Sequence, residues 1–455
     1  MADNWLLGID LGTTHIKAVA INRTGKVVFK ASQQPKLYMA SEGHFEQDPA
    51  EILQIVRLFI THCREQAHLE SVAFSAAMHT FMVVDNQMNP VTKVWTWMDR
   101  RARPFADMLR QQGRGTLWYR LTGCPVHAMS PAVKWLAYSR FDSGFRPISL
   151  RDWIIYSLGH QLVTDYSIAA ASGMMSRQGT WEPEILATLH LSEQILPSIH
   201  SWDYVVNDNI LVGGSDGAMA HYGLNVTPNS HHGVLTWGTS AAIRITADKA
   251  EPENFMPVGN FAYFLGPKQG YLVGQALSNA GNVLVWASKM LGFSIPVLMT
   301  QGIEAINSQD SLPVFIPYLY GERSPIWDEN VNAGFEGVLP QHQGMHFAGA
   351  ILVSLLALLK AAYQRLQQST GPLISLHVGP NLSHQSLWGQ LVSQIVDVPL
   401  IVSSHEDASV WGAVKLAAHT QGWPVVSPES QDIVIHPVKN PRLIERIDAI
   451  MDYIR

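Results

Sequence analysis

The sequence predicts a mixed α/β protein of two domains with like design. Three observations predict it. Leu6 to Ile9, His15 to Ile21 and Val27 to Phe29 are short apolar runs joined by the tight turns DLGTT and NRTGK. Connections this short make antiparallel neighbours. A helix and a further strand follow at once, which places helices on a mixed sheet. Far downstream, GVLTWGTSAAIRI, Gly233 to Ile245, repeats the order strand, Gly-Thr turn, strand.

Each element has its own signal. In the second strand Ile16, Ala18 and Ala20 share one face. In DPAE, Asp48 is a good N-cap, Pro49 suits the first helical position and Glu51 stands three residues past the cap. Ile52, Ile55, Val56, Phe59 and Ile60 then recur at helical spacing, and Ser71 to Ala76 reads as the next strand. The longest apolar run, Phe347 to Leu359, is too short to span a bilayer and reads as a buried core helix. A boundary near Asn225 divides the chain into domains 1–225 and 226–455.

Length and composition bound the function. A chain of 455 residues leaves room for two or three domains with large cores. With 47% hydrophobic and 15% charged residues it is a packed globular protein. The net charge is −6 and no basic block stands out, which argues against nucleic acid as the main partner. Cys63 and Cys124 form no disulfide framework and have no metal-ligand spacing, and this suits a reducing cytosol. The opening MADNWLLGID has neither the basic start nor the apolar core of a signal peptide. A cytoplasmic protein without a membrane partner is expected.

The turns carry the chemistry. GIDLGTT is no Walker loop, since it joins two strands and no lysine follows the glycine. A tight turn can still point backbone N–H groups at an anion, and glycine lets a phosphate approach the backbone. Asp10 adds a carboxylate at a strand end, where a hydrated Mg2+ could sit. The plain alternative for each turn is a hairpin with glycine at positive φ. A third segment, LVGGSDGA, runs an apolar strand into glycines and Asp216. Asp216 is a candidate general base or metal neighbour; as a helix N-cap it would leave its carboxylate in the same place.

The order GIDLGTT, AAMH, WTWMDRRA, GGSDGA, WGTS and PYLYGERSPIWDENVNAGFEG resembles the FGGY carbohydrate kinases, from about residue 5 to about 420. SAAMHTFMVVD, LTGCPVHAMSPAVKW, DYSIAAASGMM and WGTSAAIR are similar to the gluconokinase branch. The resemblance implies two ribonuclease-H-like domains, as in actin, with ATP and sugar meeting in the cleft between them. It implies that Gly12, Thr13 and Thr14 face the outer phosphates of ATP, that Asp10 and Asp216 stand near Mg2+ through water, and that Gly238, Thr239 and Ser240 contribute from the second domain. Asp216 matches the catalytic base. Met78 and His79 fall on a substrate-contact position, and Trp97, Asp99 and Arg101 on a WxDxR motif beside the sugar.

The implied activity is ATP-dependent phosphorylation of a small-molecule sugar acid, D-gluconate foremost. Phosphoryl transfer asks the protein mainly for alignment and charge neutralisation. A polyhydroxy acid also needs one cation for its carboxylate, for which Arg244, Lys134 and His127 are candidates. The plain alternatives are a core histidine at His127 and a structural salt bridge at Arg101. His231 and His232 lack metal spacing and read as solvated loop residues. A homodimer is compatible with the family, though no self-complementary patch is legible.

The adenine side departs from the family pattern. LHVGPNLSHQSLWGQ puts Pro380 and Asn381 where the family has two glycines; a one-residue shift keeps one of them as Gly379. Proline removes an N–H, while asparagine tolerates a left-handed turn. Gly389 replaces an arginine, Ser393-Gln394 an Ala-Asp pair, and Leu352-Val353 a Glu-Gly pair. Gly379 and Asn381 are the nucleotide-binding candidates here. The alternatives to a gluconate kinase are therefore a kinase for another sugar such as xylulose or a polyol, and a catalytically silent sugar-acid-binding protein.

Overall fold

The computed structural model describes residues 3–41, 43–138, 144–207, 209–383, 386–403, 407–424 and 433–454. The chain forms two compact units. The first contains residues 1–228 with two later segments, 262–272 and 407–430; the second contains the remainder.

The first unit is organised by β1 (Asn4–Leu11), β2 (Ile16–Asn22), β3 (Val27–Gln33), α1 (Pro49–Gln66), β4 (His68–Ala76), α2 (Pro131–Tyr138), β5 (Val205–Asn207), β6 (Ile210–Ser215) and α3 (Asp216–Gly223). Its six-stranded sheet has the order β5-β6-β4-β1-β2-β3. β1 and β2 pair antiparallel, as do β2 and β3, whereas β1, β4 and β6 run parallel. The antiparallel reading of the first three strands is what the two short turns required.

Helix α1 lays Ile52, Ile55, Val56, Phe59 and Ile60 into the core of this sheet. Its cap is Asp48, whose carboxylate accepts from the Ala50 N–H (2.9 Å). Glu51 does not reach back to the cap; it accepts from the Lys36 N–H (3.2 Å) and so ties the incoming loop to the helix.

The second sheet is built from β7 (His232–Trp237), β8 (Ala241–Ala247), β9 (Phe261–Gly266), β10 (Gly270–Leu277), and, beyond α4 (Gly281–Leu291) and α5 (Gly344–Thr370), from β11 (Ser375–Val378), β12 (Leu400–Val402) and, past α6 (Ala408–Thr420), β13 (Ile433–Ile435). Its order is β9-β10-β8-β7-β11-β12-β13. β7 pairs antiparallel with β8 and parallel with β11, and β11 runs parallel with β12. This is the relation that β1 has to β2 and β4, so the two Gly-Thr turns occupy equivalent places. His232 opens β7, with Nδ1 bonded to the Ser375 hydroxyl (2.6 Å) and its ring edge-on to His377, and is no solvated loop residue.

The apolar run at Phe347 belongs to a 27-residue helix, α5. The run itself is short, but α5 as a whole has an 18-residue window apolar enough to cross a membrane by length and composition. Yet 83% of that window is buried within the fold, and it serves as a core helix. Leu352 and Val353 are both buried in it.

Candidate active site

Three parallel strands end side by side. In register, Asp10 of β1 faces Ser75 of β4, and Ser75 faces Gly214 of β6. Asp216 follows directly as the first residue of α3. Carboxyl ends of parallel strands are where α/β folds place their chemistry. β6 reaches this position through Gly213, whose φ is +69° and where a Cβ would lie 1.8 Å from the Phe74 carbonyl oxygen.

The N-cap of α3 is Ser215, not Asp216: the Ser215 hydroxyl accepts from the Ala218 N–H (3.4 Å). Asp216 stands in the first turn and accepts from the Gly217 N–H (2.7 Å). The hydroxyl takes the capping task, and the carboxylate is held at the positive end of the helix dipole.

Asp10 is buried, and its Oδ1 has no hydrogen-bond partner among the described residues. Burial pushes its carboxyl up to about 6; the nearby negative charges of Asp216 and Asp407 add to this, and Ser75 and Lys17 oppose it. Lys17 faces Asp10 across the β1–β2 pair and ion-pairs with Asp407, just before α6. Close packing brings α6 here. A Cβ at Gly412 would lie 2.0 Å from the Met219 carbonyl oxygen, and one at Gly8 would lie 2.6 Å from the Val414 side chain. Lys17, Ser75 and Asp407 were not legible as site residues, since the strand register and the α6 packing alone unite them with Asp10.

Each turn closes an antiparallel strand pair, but neither Gly12 nor Gly238 has a positive φ, so a left-handed backbone is not what calls for these glycines. Gly12 is needed because a Cβ would meet the His15 carbonyl oxygen at 2.6 Å. At Gly238 the nearest atom to an added Cβ is the Ser240 carbonyl oxygen at 3.9 Å, so the surrounding protein leaves room for a side chain.

The peptide planes of both turns are fixed from outside. The Leu11 carbonyl accepts from the Ala77 N–H (3.1 Å) and the Thr13 carbonyl from Gln47 Nε2 (2.9 Å). In the second turn the Gly238 carbonyl accepts from the Gly281 N–H (3.0 Å) and the Thr239 carbonyl from the Asn282 N–H (3.1 Å). In a trans peptide the N–H points opposite to the C=O. The N–H groups of Gly12 and Thr14, and those of Thr239 and Ser240, therefore point away from their supports. Each turn offers paired donors of the kind that bind phosphate.

The expected sugar-side residues lie in the first unit, except Arg244. His79 has φ +63°; its Nδ1 lies 2.8 Å from the Ala171 carbonyl oxygen and its Nε2 lies 3.4 Å from the Tyr263 hydroxyl. Nδ1 must donate to that carbonyl, which leaves Nε2 as the acceptor of the neutral ring. Met78 is buried beside it, and Trp97 is half-buried. Asp99 is buried and accepts from the Phe45 N–H (3.0 Å) and from Arg101 (2.7 Å). Arg101 also pairs with Glu46 (2.8 Å) and lies over the Trp95 ring at 3.7 Å. The structural salt bridge foreseen for Arg101 is thus present.

Two of the three candidate cations have other work. Lys134 is fully buried on α2, and its ammonium donates to the carbonyls of Thr96 (2.7 Å), His79 (2.8 Å) and Trp95 (3.3 Å). It clasps the two loops that carry His79 and Trp97, and cannot also serve a substrate carboxylate. Burial lowers its pKa to about 7, with Asp99 opposing and Arg101 adding to the shift. His127 is a buried loop histidine whose Nδ1 accepts from the Met129 N–H (3.2 Å). Arg244 lies on β8 and donates to Thr236 Oγ1 (3.1 Å) within the second unit.

The altered adenine-side segment has its own geometry. Pro380 to Leu382 is a 3-10 turn capped by Gly379, with φ −75°. Asn381 is not left-handed, so its tolerance of such a turn is not used here. Proline stands first, where its missing N–H leaves no bond unmade. The Asn381 side chain lies outside the described residues. Gly389 is required: a Cβ there would lie 2.2 Å from the Ser383 carbonyl oxygen. Trp388 packs on Trp237, the residue before the second turn, with ring centroids 4.5 Å apart.

The model of the FGGY family of carbohydrate kinases, N-terminal domain, matches residues 5–208, and that of its C-terminal domain matches residues 233–421. The chain belongs to the FGGY family of carbohydrate kinases. It is therefore a phosphotransferase acting on a sugar, and the two-domain fold is that of the family. It is 28% identical to the gluconokinase of Bacillus subtilis (strain 168), over 92% of this chain and 88% of that protein. It is 24% identical to the xylulose kinase of Staphylococcus xylosus, over 92% of this chain and 91% of that one. Among solved structures, gluconate kinase from Lactobacillus acidophilus superimposes with a TM-score of 0.87 at 26% identity, covering 99% of this chain and 96% of that chain.

Proposed function

We propose that this FGGY kinase phosphorylates D-gluconate to 6-phospho-D-gluconate with ATP. The observation that carries the chemistry is the carboxylate of Asp216 in the first turn of α3, beside the Asp10 strand edge, with the capping task taken by Ser215. The observation that favours gluconate is the 28% identity to gluconokinases of two Bacillus species over 92% of the chain.

Asp216 accepts the proton of the attacking sugar hydroxyl, the sugar oxygen bonds to the γ-phosphorus in line, and the bond from that phosphorus to the β–γ bridging oxygen breaks to release ADP. The N–H groups of Gly12 and Thr14 with the hydroxyls of Thr13 and Thr14 are donors for phosphate oxygens, and so are the N–H groups and hydroxyls of Thr239 and Ser240. Gly379 and Asn381 border the base end of the nucleotide. The buried Asp10 carboxylate, whose Oδ1 has no hydrogen-bond partner among the described residues, suits a hard divalent cation. Asp10 and Asp216 would hold Mg2+ through water, and the ion would neutralise phosphate charge. Met78, His79, Trp97, Asp99 and Arg101 frame the sugar, and Arg244 is left as the cation for its carboxylate.

Xylulose is the second reading, favoured by the xylulose kinase relatives and by a ligand-bound xylulose kinase from Lactobacillus acidophilus with the same TM-score of 0.87. ADP release with Mg-ATP across gluconate, other sugar acids, pentuloses, hexoses and glycerol decides between them. Gluconate-dependent release that is lost in Asp216→Ala is the expected result. Release with xylulose alone overturns the substrate, and no release with any sugar overturns the reaction.

A further inference from the structure

The segment Pro317 to Asn330 carries much of the family resemblance but takes no part in the chemistry above. Its Glu322 is fully buried in the second unit. A buried carboxylate is costly unless its oxygens are bonded. Here Oε1 accepts from the backbone N–H groups of Ser278 (2.5 Å) and Arg323 (2.8 Å), and Oε2 accepts from Asn279 Nδ2 (3.0 Å). Asn279 in turn donates to the Gly321 carbonyl (2.7 Å) and accepts from the Tyr320 N–H (3.1 Å). Arg323 donates to the Leu277 carbonyl (2.6 Å). The stretch 277–279 is thereby gripped from one side by residues 320–323.

That stretch leads into α4. Asn282 Nδ2 donates to the Ser278 carbonyl (2.9 Å), and Asn282 Oδ1 accepts from the N–H groups of Ala280 and Val283 (2.9 Å each). The backbone N–H groups of Gly281 and Asn282 are the ones that hold the carbonyls of Gly238 and Thr239. Gly281 admits no Cβ, which would lie 2.4 Å from the Gly238 carbonyl oxygen. An unbroken hydrogen-bonded path therefore runs from Glu322 through Ser278 and Asn282 to the turn whose N–H groups face outward.

We infer that Glu322 is a positioning residue for the Gly238–Ser240 turn: its carboxylate sets the start of α4, and α4 sets the peptide planes that present Thr239 N–H and Ser240 N–H to phosphate. The inference rests on reading that turn as phosphate-binding. Burial holds the Glu322 carboxyl up at about 6, yet three N–H donors converge on its oxygens. Glutamine in its place has the same shape but must turn an NH2 toward one of these donors, so at least one of the bonds is lost.

The test compares wild type, Glu322→Gln and Asn282→Ala, each at a temperature well below its own Tm. Affinities for Mg-ADP and, separately, for gluconate are read by calorimetry. The expected result is an Mg-ADP Kd raised at least tenfold in Glu322→Gln and in the same direction in Asn282→Ala, with the gluconate Kd within twofold of wild type. An Mg-ADP Kd within twofold of wild type in both variants overturns the role of Glu322. Equal loss of both ligands overturns it too, since that marks general unfolding. If Glu322→Gln does not fold, Asn282→Ala carries the test alone. Wild type that binds no Mg-ADP overturns the phosphate reading itself, which keeps that failure distinct.

Discussion

Asp10 and Asp216 stand at the same edge of one sheet, on β1 and just past β6, with Ser75 of β4 in register between them. Burial raises the cost of ionising Asp10, and the Asp216 charge beside it adds to that cost. Most of the behaviour expected of this enzyme follows from that arrangement.

The first expectation concerns pH. Asp10 is raised from 3.8 to about 6. A raised acid favours the folded state below its unfolded pKa, and that contribution is lost as pH rises through the folded value. Ligand-free protein should therefore lose on the order of 2–3 kcal/mol of stability from this group between about pH 4 and pH 6. Asp10→Asn should raise the Tm of ligand-free protein at pH 7.5 while lowering turnover at least a hundredfold. A calorimetric Tm that falls in Asp10→Asn would contradict the assignment.

The acid limb of kcat/KM should lie near pH 6 and move lower as Mg2+ is raised, because metal competes with the proton for Asp10. A pH–rate series at two Mg2+ concentrations reads this directly. An acid limb that ignores Mg2+ would separate Asp10 from the metal.

The two turn glycines should part company on substitution. Gly12→Ala drives a Cβ to 2.6 Å from a backbone oxygen and should cost about 1–3 kcal/mol in stability. Gly238→Ala meets nothing nearer than 3.9 Å and should leave stability within about 0.5 kcal/mol. It should still raise the KM for ATP, because the added methyl stands where phosphate approaches. Thermal melts and ATP titrations of the pair separate a structural glycine from a ligand-facing one.

Restoring the family's arginine should fail. In Gly389→Arg the Cβ would sit 2.2 Å from the Ser383 carbonyl oxygen and 2.3 Å from that of Leu382, so the short helix at Leu387 must shift. The variant should melt lower and bind Mg-ADP no more tightly. Tighter binding would show that the Gly379–Leu382 turn is a defect rather than a different solution.

Lys134→Met should destabilise by about 2–4 kcal/mol, because three buried carbonyls lose one shared donor. Burial holds the folded pKa of Lys134 near 7, below its ordinary value of 10.5. The unfolded chain binds more protons between these values, so this group's contribution to stability rises with pH across that window. Urea melts of both proteins at pH 7 and pH 9 should show the gap widening at the higher pH.

Much was written locally in the sequence. Alternating apolar runs, tight turns and the Asp48 cap dictate β1 to β3 and α1, because hydrophobic period and capping act over a few residues. The Gly-Thr turns were legible for the same reason, whereas Asp216 stood out as a candidate from its place at a strand end and from the family resemblance. What only the tertiary structure decided depends on groups distant in the chain meeting. Ser215 took the cap, and residues 407–424 packed with the first unit, which put Asp407 on Lys17. Lys134 was drawn into three carbonyls and His127 onto the Met129 N–H, which gave both other work than a substrate carboxylate, and Arg101 was paired with two carboxylates. Glu322 was joined to the turn at Gly238 across more than eighty residues. Local pattern names the elements, but partner choice for a buried charge follows from which groups the fold encloses together, since each must find a bond once water is gone.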